Sequence, residues 1–237
     1  MKAYRIGDSL IINDNCEEAL KRIPDKSIDL VLIDPPYEQD FHGGGQQRRA
    51  KDYTIVKENT EFMNYGFNYE VVFPELVRVC KIPNILVFCS NNQITKLMSW
   101  FENNKLKATL TTWKKSNACP LGNGKYISDL EFVIYARGKG APWNKEAPSN
   151  IKYKCKVYPF VSGKGRLHPA QKPEDLITEY VTLHSLEGQK ILDCYMGSGT
   201  TGYVCAKLNR KFVGIEIKEN FVKVGINRIM EVYDARK

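Results

Sequence analysis

Asp34-Pro35-Pro36-Tyr37 closes the apolar run Ser27-Ile28-Asp29-Leu30-Val31-Leu32-Ile33 and brings an acid, two rigid carbonyls and a phenol to one corner. Those groups suit an exocyclic amine on a flat ring. Such an amine is a poor nucleophile, because its lone pair is delocalised into the ring. The Asp34 carboxylate and the Pro35 carbonyl can accept its two N–H bonds. That favours a pyramidal nitrogen and stabilises the positive charge that develops as it reacts. Tyr37 can stack on the ring, while Pro36 stiffens the turn. The plainer alternative is a strand ending in a Pro-Pro turn with a solvated acid.

A second group of residues stands some 160 positions later. Lys190-Ile191-Leu192-Asp193 leads through Cys194, Tyr195 and Met196 into Gly197-Ser198-Gly199-Thr200-Thr201-Gly202. Gly197-x-Gly199-x-x-Gly202 fits the dinucleotide fingerprint: glycines admit a ligand close to the backbone, and a helix N-terminus offers free N–H groups. Glu216 ends the next apolar run, Phe212 to Ile215, where its carboxylate can accept bonds from ribose hydroxyls. The pattern reads as a site for a nucleoside-containing cofactor. A dinucleotide oxidoreductase competes with that reading. Against it, the glycine turn comes late, and no residue stands out as the acid–base partner of a hydride transfer. A phosphate-gripping loop would need Gly-Lys-Ser/Thr after the glycines.

The elements that must hold these groups alternate in type. A short helix is expected near 17–23 and a strand at 29–34, stopped by prolines that cannot extend a ladder. Residues 38–66 are polar, rich in glycine and aperiodic, long for a connection in a compact domain, and are expected to be a loop over the site. Helices are expected at 68–80, 93–103, 173–185, 200–208 and 219–232. Strands are expected at 85–89, 107–114, 129–136, 151–161, 189–193 and 211–215. This pattern predicts an α/β fold, a mostly parallel sheet with helices on both faces, in one domain. Ligands of such sheets bind at the carboxyl ends of the strands.

Composition narrows the class. The chain has 237 residues, 43% hydrophobic and 26% charged, the balance of a globular protein. It has no apolar run long enough to span a bilayer and no signal-like N-terminus, so a cytoplasmic protein without membrane contact is expected. Seven scattered cysteines without a C-x-x-C pair, and three histidines without ligand spacing, predict buried thiols and no metal site. The net charge of +8 is concentrated: residues 137–172 hold nine Lys or Arg against one acid, Glu146, and the rest of the chain is neutral. Trp143, Tyr153, Tyr158 and Phe160 are interleaved with these charges. Basic and aromatic residues together suit a phosphate backbone with accessible bases, although a solvated lysine-rich loop has the same composition. A smaller basic cluster, Arg48, Arg49 and Lys51, follows Gly43-Gly44-Gly45.

Together the motifs resemble the S-adenosylmethionine-dependent DNA amino-methyltransferases in which the catalytic motif precedes the cofactor motif. Asp34-Pro35-Pro36-Tyr37 matches the catalytic motif in full. Its acid is typical of adenine N6 enzymes, where cytosine N4 enzymes more often carry serine. Asp193 to Thr201 resembles the cofactor motif Asp-Pro-Phe-x-Gly-Ser-Gly-Thr, with Cys194 and Tyr195 in place of Pro-Phe. His168-Pro169-Ala170-Gln171-Lys172-Pro173 is similar to the segment around the methionine end of the cofactor, Asn13-Asp14 to the element contacting its adenine, and Trp113 to Asn117 to a segment lining the target pocket.

The resemblance implies a Rossmann-like methyltransferase fold of permuted motif order, with strands 190–193 and 29–34 side by side. Asp34, Pro35, Pro36 and Tyr37 would be catalytic. Asp14, His168, Lys172, Asp193, Tyr195, Gly197, Ser198, Gly199, Thr200 and Glu216 would bind the cofactor. Arg48, Arg49, Lys51, Lys114, Lys152, Lys154, Lys156, Lys164 and Arg166 would bind DNA, with target recognition in 38–66 and 138–166. The implied reaction moves a methyl group to adenine N6 of a flipped-out DNA base, in a restriction-modification setting that admits a homodimer. Cytosine N4 or RNA amino-methylation on the same scaffold stays open, as does a nucleic-acid binder with a decayed site.

Overall fold

The computed structural model describes residues 1–37, 67–120, 126–163, 166–168 and 170–236. The expected loop at 38–66, with Arg48, Arg49 and Lys51, therefore lies outside the described residues, as does Lys164.

Leu30–Ile33 (β3) is buried at all four positions, as an interior strand covered on both faces must be. It pairs in parallel with Asn84–Cys89 (β4) on one side and with Lys190–Asp193 (β8) on the other. The sheet continues in parallel from β8 through Lys211–Glu216 (β9) to Ser9–Asn13 (β2). Lys2–Ile6 (β1) closes that edge antiparallel to β2. Beyond β4 the pairing reverses: Leu130–Arg137 (β6) runs antiparallel to β4 and to Lys107–Lys115 (β5), and Cys155–Tyr158 (β7) lies parallel to β5. The nine strands among the described residues form one sheet, ordered β1-β2-β9-β8-β3-β4-β6-β5-β7.

Helices cover both faces because alternate strand residues present apolar side chains to each. On one face lie Cys16–Leu20 (α1), Tyr69–Val79 (α2) and Ile94–Asn103 (α3). Phe73 and Phe101 stack there with ring centres 4.5 Å apart, and Leu20, Leu76 and Leu97 are fully buried beside them. On the other face Glu174–His184 (α4), Thr200–Lys207 (α5) and Glu219–Asp234 (α6) bury Tyr180, Val204 and Ile229. Each such side chain contributes about 1.5–3 kcal/mol of burial.

The expected α/β sheet and the side-by-side placement of the early and late strands are found. The N-terminal hairpin was not expected: β1 is short and mostly polar, and the pair depends on a turn through Gly7 at φ +51°. The extended piece expected at 151–161 shrinks to Cys155–Tyr158, preceded by a helical turn at Ser149–Lys152. Residues 69–79 stay helical through Pro74 because their apolar face is buried.

The consequence for chemistry is geometric. Asn13, Ile33, Cys89, Asp193 and Glu216 all end parallel strands at one edge of the sheet. The Asp34 corner, the glycine turn and Asp14 are therefore neighbours in space.

Candidate active site

Asp34 follows β3 at that edge and is mostly buried, with Pro35 buried beside it. Four charged or phenolic groups converge on this corner. Lys172 Nζ donates to Asp34 Oδ2 at 2.5 Å and lies 3.4 Å from Glu131 Oε2. The Tyr37 hydroxyl lies 2.9 Å from Asp34 Oδ1 and 3.1 Å from Glu131 Oε2. Lys115 Nζ holds the other Glu131 oxygen at 2.9 Å. Two carboxylates and two ammonium groups thus balance in charge.

Burial pushes the Asp34 carboxyl above the usual range, and Lys172 offsets that only in part. For Glu131 burial also pushes upward, but Lys172 and Lys115 outweigh it and hold the carboxyl below the usual range. Lys172 is held above the usual lysine value because Asp34 and Glu131 outweigh the opposing effect of burial. Of the two acids, Asp34 is therefore the readier to accept a proton.

The glycine turn is built by close approach. Gly199 has φ +76°, and a Cβ there would lie 2.7 Å from Gly225 Cα in α6. Gly197 has φ +51°, and its Cβ would meet the His168 ring at 3.4 Å. The turn is then tied down from both sides. Gly197 N donates to Glu216 Oε2 at 2.9 Å and Lys218 N to Glu216 Oε1 at 2.8 Å. Tyr195 N donates to Asp193 Oδ1 at 3.1 Å, and Thr201 Oγ1 to Asp193 Oδ2 at 2.7 Å. Burial raises both carboxyls, that of Asp193 to about 7.

Beside the turn, Asp14, Asn15, Cys16, Glu17, Pro36, Cys194, Tyr195, Glu216, Ile217 and Lys218 enclose about 610 Å³, part of it open to solvent. Pro36 and Tyr195 line the same cavity, so the two sequence motifs share one crevice. Asp14 lines its rim, its carboxyl held low by the Asn15 backbone N–H despite some burial, with Arg22 adding to the effect.

Several expected residues fall elsewhere or act differently. Lys172, expected at the cofactor, reaches Asp34 and Glu131 instead, and lies 5.5 Å from the Tyr37 ring centre. Ser198 and Thr200 accept from Arg228, at 3.0 Å to the Ser198 carbonyl and 3.0 Å to Thr200 Oγ1, so their side chains brace the turn from behind. His168 packs against Phe221 and takes the Ala170 backbone N–H on Nδ1. Burial first, and then Lys172, Lys218 and Arg166, lower it to about 3, so it is neutral. Trp113 is buried and donates its indole N–H to the Tyr158 carbonyl.

The expected DNA-contacting set divides. Lys114 is exposed at the end of β5 on the Asp34 side of the sheet, and Arg166 follows β7 on the same side. Lys156 needs correction: it is buried, paired with Glu179 Oε2 at 2.8 Å, and cannot meet a phosphate. The chain from Arg137 begins opposite Asn84, at the other edge of the sheet. There Asn144 N donates to the Leu183 carbonyl, and Lys152 Nζ to the Lys145 carbonyl. Lys154 is exposed where the chain climbs back beside Thr112.

Glu131, Cys16 and Arg228 escaped the sequence reading, and Lys115 entered it only as part of the Trp113 to Asn117 segment. The one sequence signal for Glu131 was an acid opening the apolar strand Phe132 to Ala136.

A sequence profile of the DNA methylase family with N6 and N4 members matches residues 28–227. The Type II methyltransferase M.HinfI of Haemophilus influenzae is 26% identical over 263 residues, which cover 98% of this chain and 72% of that protein. The crystal structure of the M1.HpyAVI-SAM complex superposes with a TM-score of 0.68 at 25% identity, covering 92% of this chain and 98% of that one. The cytosine-N4-specific PvuII DNA methyltransferase has a TM-score of 0.75 at 16% identity, covering 98% and 93%, a likeness of fold alone.

Proposed function

The chain belongs to the N6/N4 DNA methylase family, and we propose that it moves the methyl group of S-adenosylmethionine to N6 of a DNA adenine. The carrying observation is the shared crevice: Pro36, two residues after Asp34, lines the same cavity as Cys194, Tyr195 and Glu216. The glycine cradle, the lining of the crevice and the Glu216 carboxylate fit an adenosyl cofactor. Glu216, Asp14, Tyr195 and the backbone at Gly197 to Thr200 would hold it. S-adenosylmethionine supplies a carbon made electrophilic by a sulfonium sulfur.

The remaining chemistry belongs to the chain. Asp34 and the Pro35 carbonyl accept the two amine protons, which draws the nitrogen lone pair out of conjugation. As the nitrogen gains its fourth bond it becomes acidic, and Asp34 takes the proton. Holding the reactants in line is worth on the order of 7–11 kcal/mol. Chemistry on a base of a duplex requires the adenine to leave the stack, so it would enter flipped, at a cost of a few kcal/mol. The tyrosine ring, carrying Lys172 on one face, offers the other to the base. M.HinfI, named a Type II methyltransferase, supports a DNA substrate, and the acid at Asp34 favours N6 over N4.

Asp34→Ala separates the roles. Radiolabelled methyl transfer to DNA should be abolished, while calorimetry should find cofactor affinity within about threefold of the parent, about 0.65 kcal/mol. Normal turnover of the variant would overturn the role given to Asp34.

A further inference from the structure

Glu131 is not part of any motif read from the sequence, yet it touches three of the four groups at the catalytic corner. The Tyr37 hydroxyl has one proton and two carboxylate neighbours, at 2.9 Å (Asp34) and 3.1 Å (Glu131), and can donate to only one at a time. Lys172 likewise stands between the same two acids. Lys115, from the neighbouring strand, fastens the far oxygen of Glu131 and fixes its position.

We propose that Glu131 is a positioning residue for methyl transfer, drawing Tyr37 and Lys172 partly away from Asp34 so that Asp34 keeps an acceptor position for the amine. This rests on the proposed function and deepens it. Remove the Glu131 charge, and the tyrosine proton and the lysine both collapse onto Asp34, where they compete with the substrate. The same loss lowers the tendency of Asp34 to take up the proton that the methylated nitrogen sheds. Among the described residues, the charged and titratable groups around Asp34 are Lys172 from the loop before α4, Tyr37 from its own loop, Glu131 from β6 with Lys115 behind it, and Asp193 from β8.

The test is Glu131→Gln, which keeps the shape and removes the charge. Aspartate labelled with 13C at the carboxyl, with the Asp34 signal assigned through Asp34→Asn, reports the titration midpoint of Asp34 directly. The midpoint should fall by about one unit or more, and kcat should fall about tenfold to a hundredfold. The acid limb of the kcat–pH profile should move down with it, while cofactor affinity stays within about twofold. Lys115→Met leaves the Glu131 charge in place and should move the midpoint the other way. An unchanged midpoint in Glu131→Gln, or an unchanged kcat, overturns the proposal. If the midpoint moves but the parent protein methylates no DNA, the substrate reading fails while the link from Glu131 to Asp34 is upheld.

Discussion

Among the described residues, Lys172→Met cuts the one direct cationic contact of the largely buried Asp34 and leaves Glu131 with Lys115. At 2.5 Å and an effective dielectric of about 20, the Lys172–Asp34 attraction is about 6–7 kcal/mol before desolvation is counted. Desolvation of both ions offsets part of it, and breaking a buried pair by removing one partner costs about 3–5 kcal/mol. The loss should depend on pH with a definite sign. Burial already raises the Asp34 carboxyl, and without Lys172 it rises further. An acid whose folded value is raised costs nothing well below its unfolded value; the cost grows as pH climbs from the unfolded value to the folded one and is constant above that. The variant should therefore lose about 3–5 kcal/mol at pH 8 and at least about 1 kcal/mol less at pH 5.5, read from urea unfolding at both pH values. Adding Asp34→Asn should restore much of the stability lost at pH 8. A pH-independent loss, or a double variant whose cost is the sum of the two single ones, would refute the charge-balance reasoning.

Three further outcomes are expected. Gly199→Ala places a Cβ against the Gly225 backbone at a positive φ and should cost about 2–4 kcal/mol in thermal unfolding. Gly225→Ala presses mainly on the flexible end of Met196 and should cost less than half as much. Neutralising Lys114 and Arg166 together should reduce the slope of log Kd for DNA against log salt by about 2, while Lys152→Gln with Lys154→Gln changes it by less than about half that. His184 is held neutral, at about 3, by burial and then by Lys156 and Arg137. Its contribution to stability is full above about pH 6.5 and is lost as pH falls toward 3, up to about 5 kcal/mol in all, so His184→Phe should move the midpoint of acid unfolding to lower pH.

The sequence exposed those parts of the protein in which one residue does one thing. Asp34-Pro35-Pro36-Tyr37 marks the end of a strand because proline ends ladders. Gly199 marks a turn because a Cβ there would strike the Gly225 backbone, and Gly197 because its φ is positive. Glu216 is legible because it terminates an apolar run. Beyond the β3–β8 adjacency that the resemblance implies, pairing across the sheet was not legible. Glu131 reaches the Asp34 corner, through Tyr37 and Lys172, because β6 runs antiparallel beside β4, and nothing local in Leu130 to Arg137 encodes that direction. The same limit explains Lys156. Composition counts a lysine as positive and available, but period-2 alternation on β7 turns this one inward to Glu179 and leaves Val157 outside. Lys172 was assigned to the cofactor because its segment runs toward that site, although its long side chain reaches the other half of the crevice.

The account stands on adenine N6 being methylated at the Asp34 corner. Plasmid DNA of mixed sequence, incubated with the protein and S-adenosylmethionine and read molecule by molecule for modified bases, tests it most directly. N6-methyladenine at a recurring sequence, absent with Asp34→Ala, is the predicted result. N4-methylcytosine in its place, or no modified base at all, would contradict it.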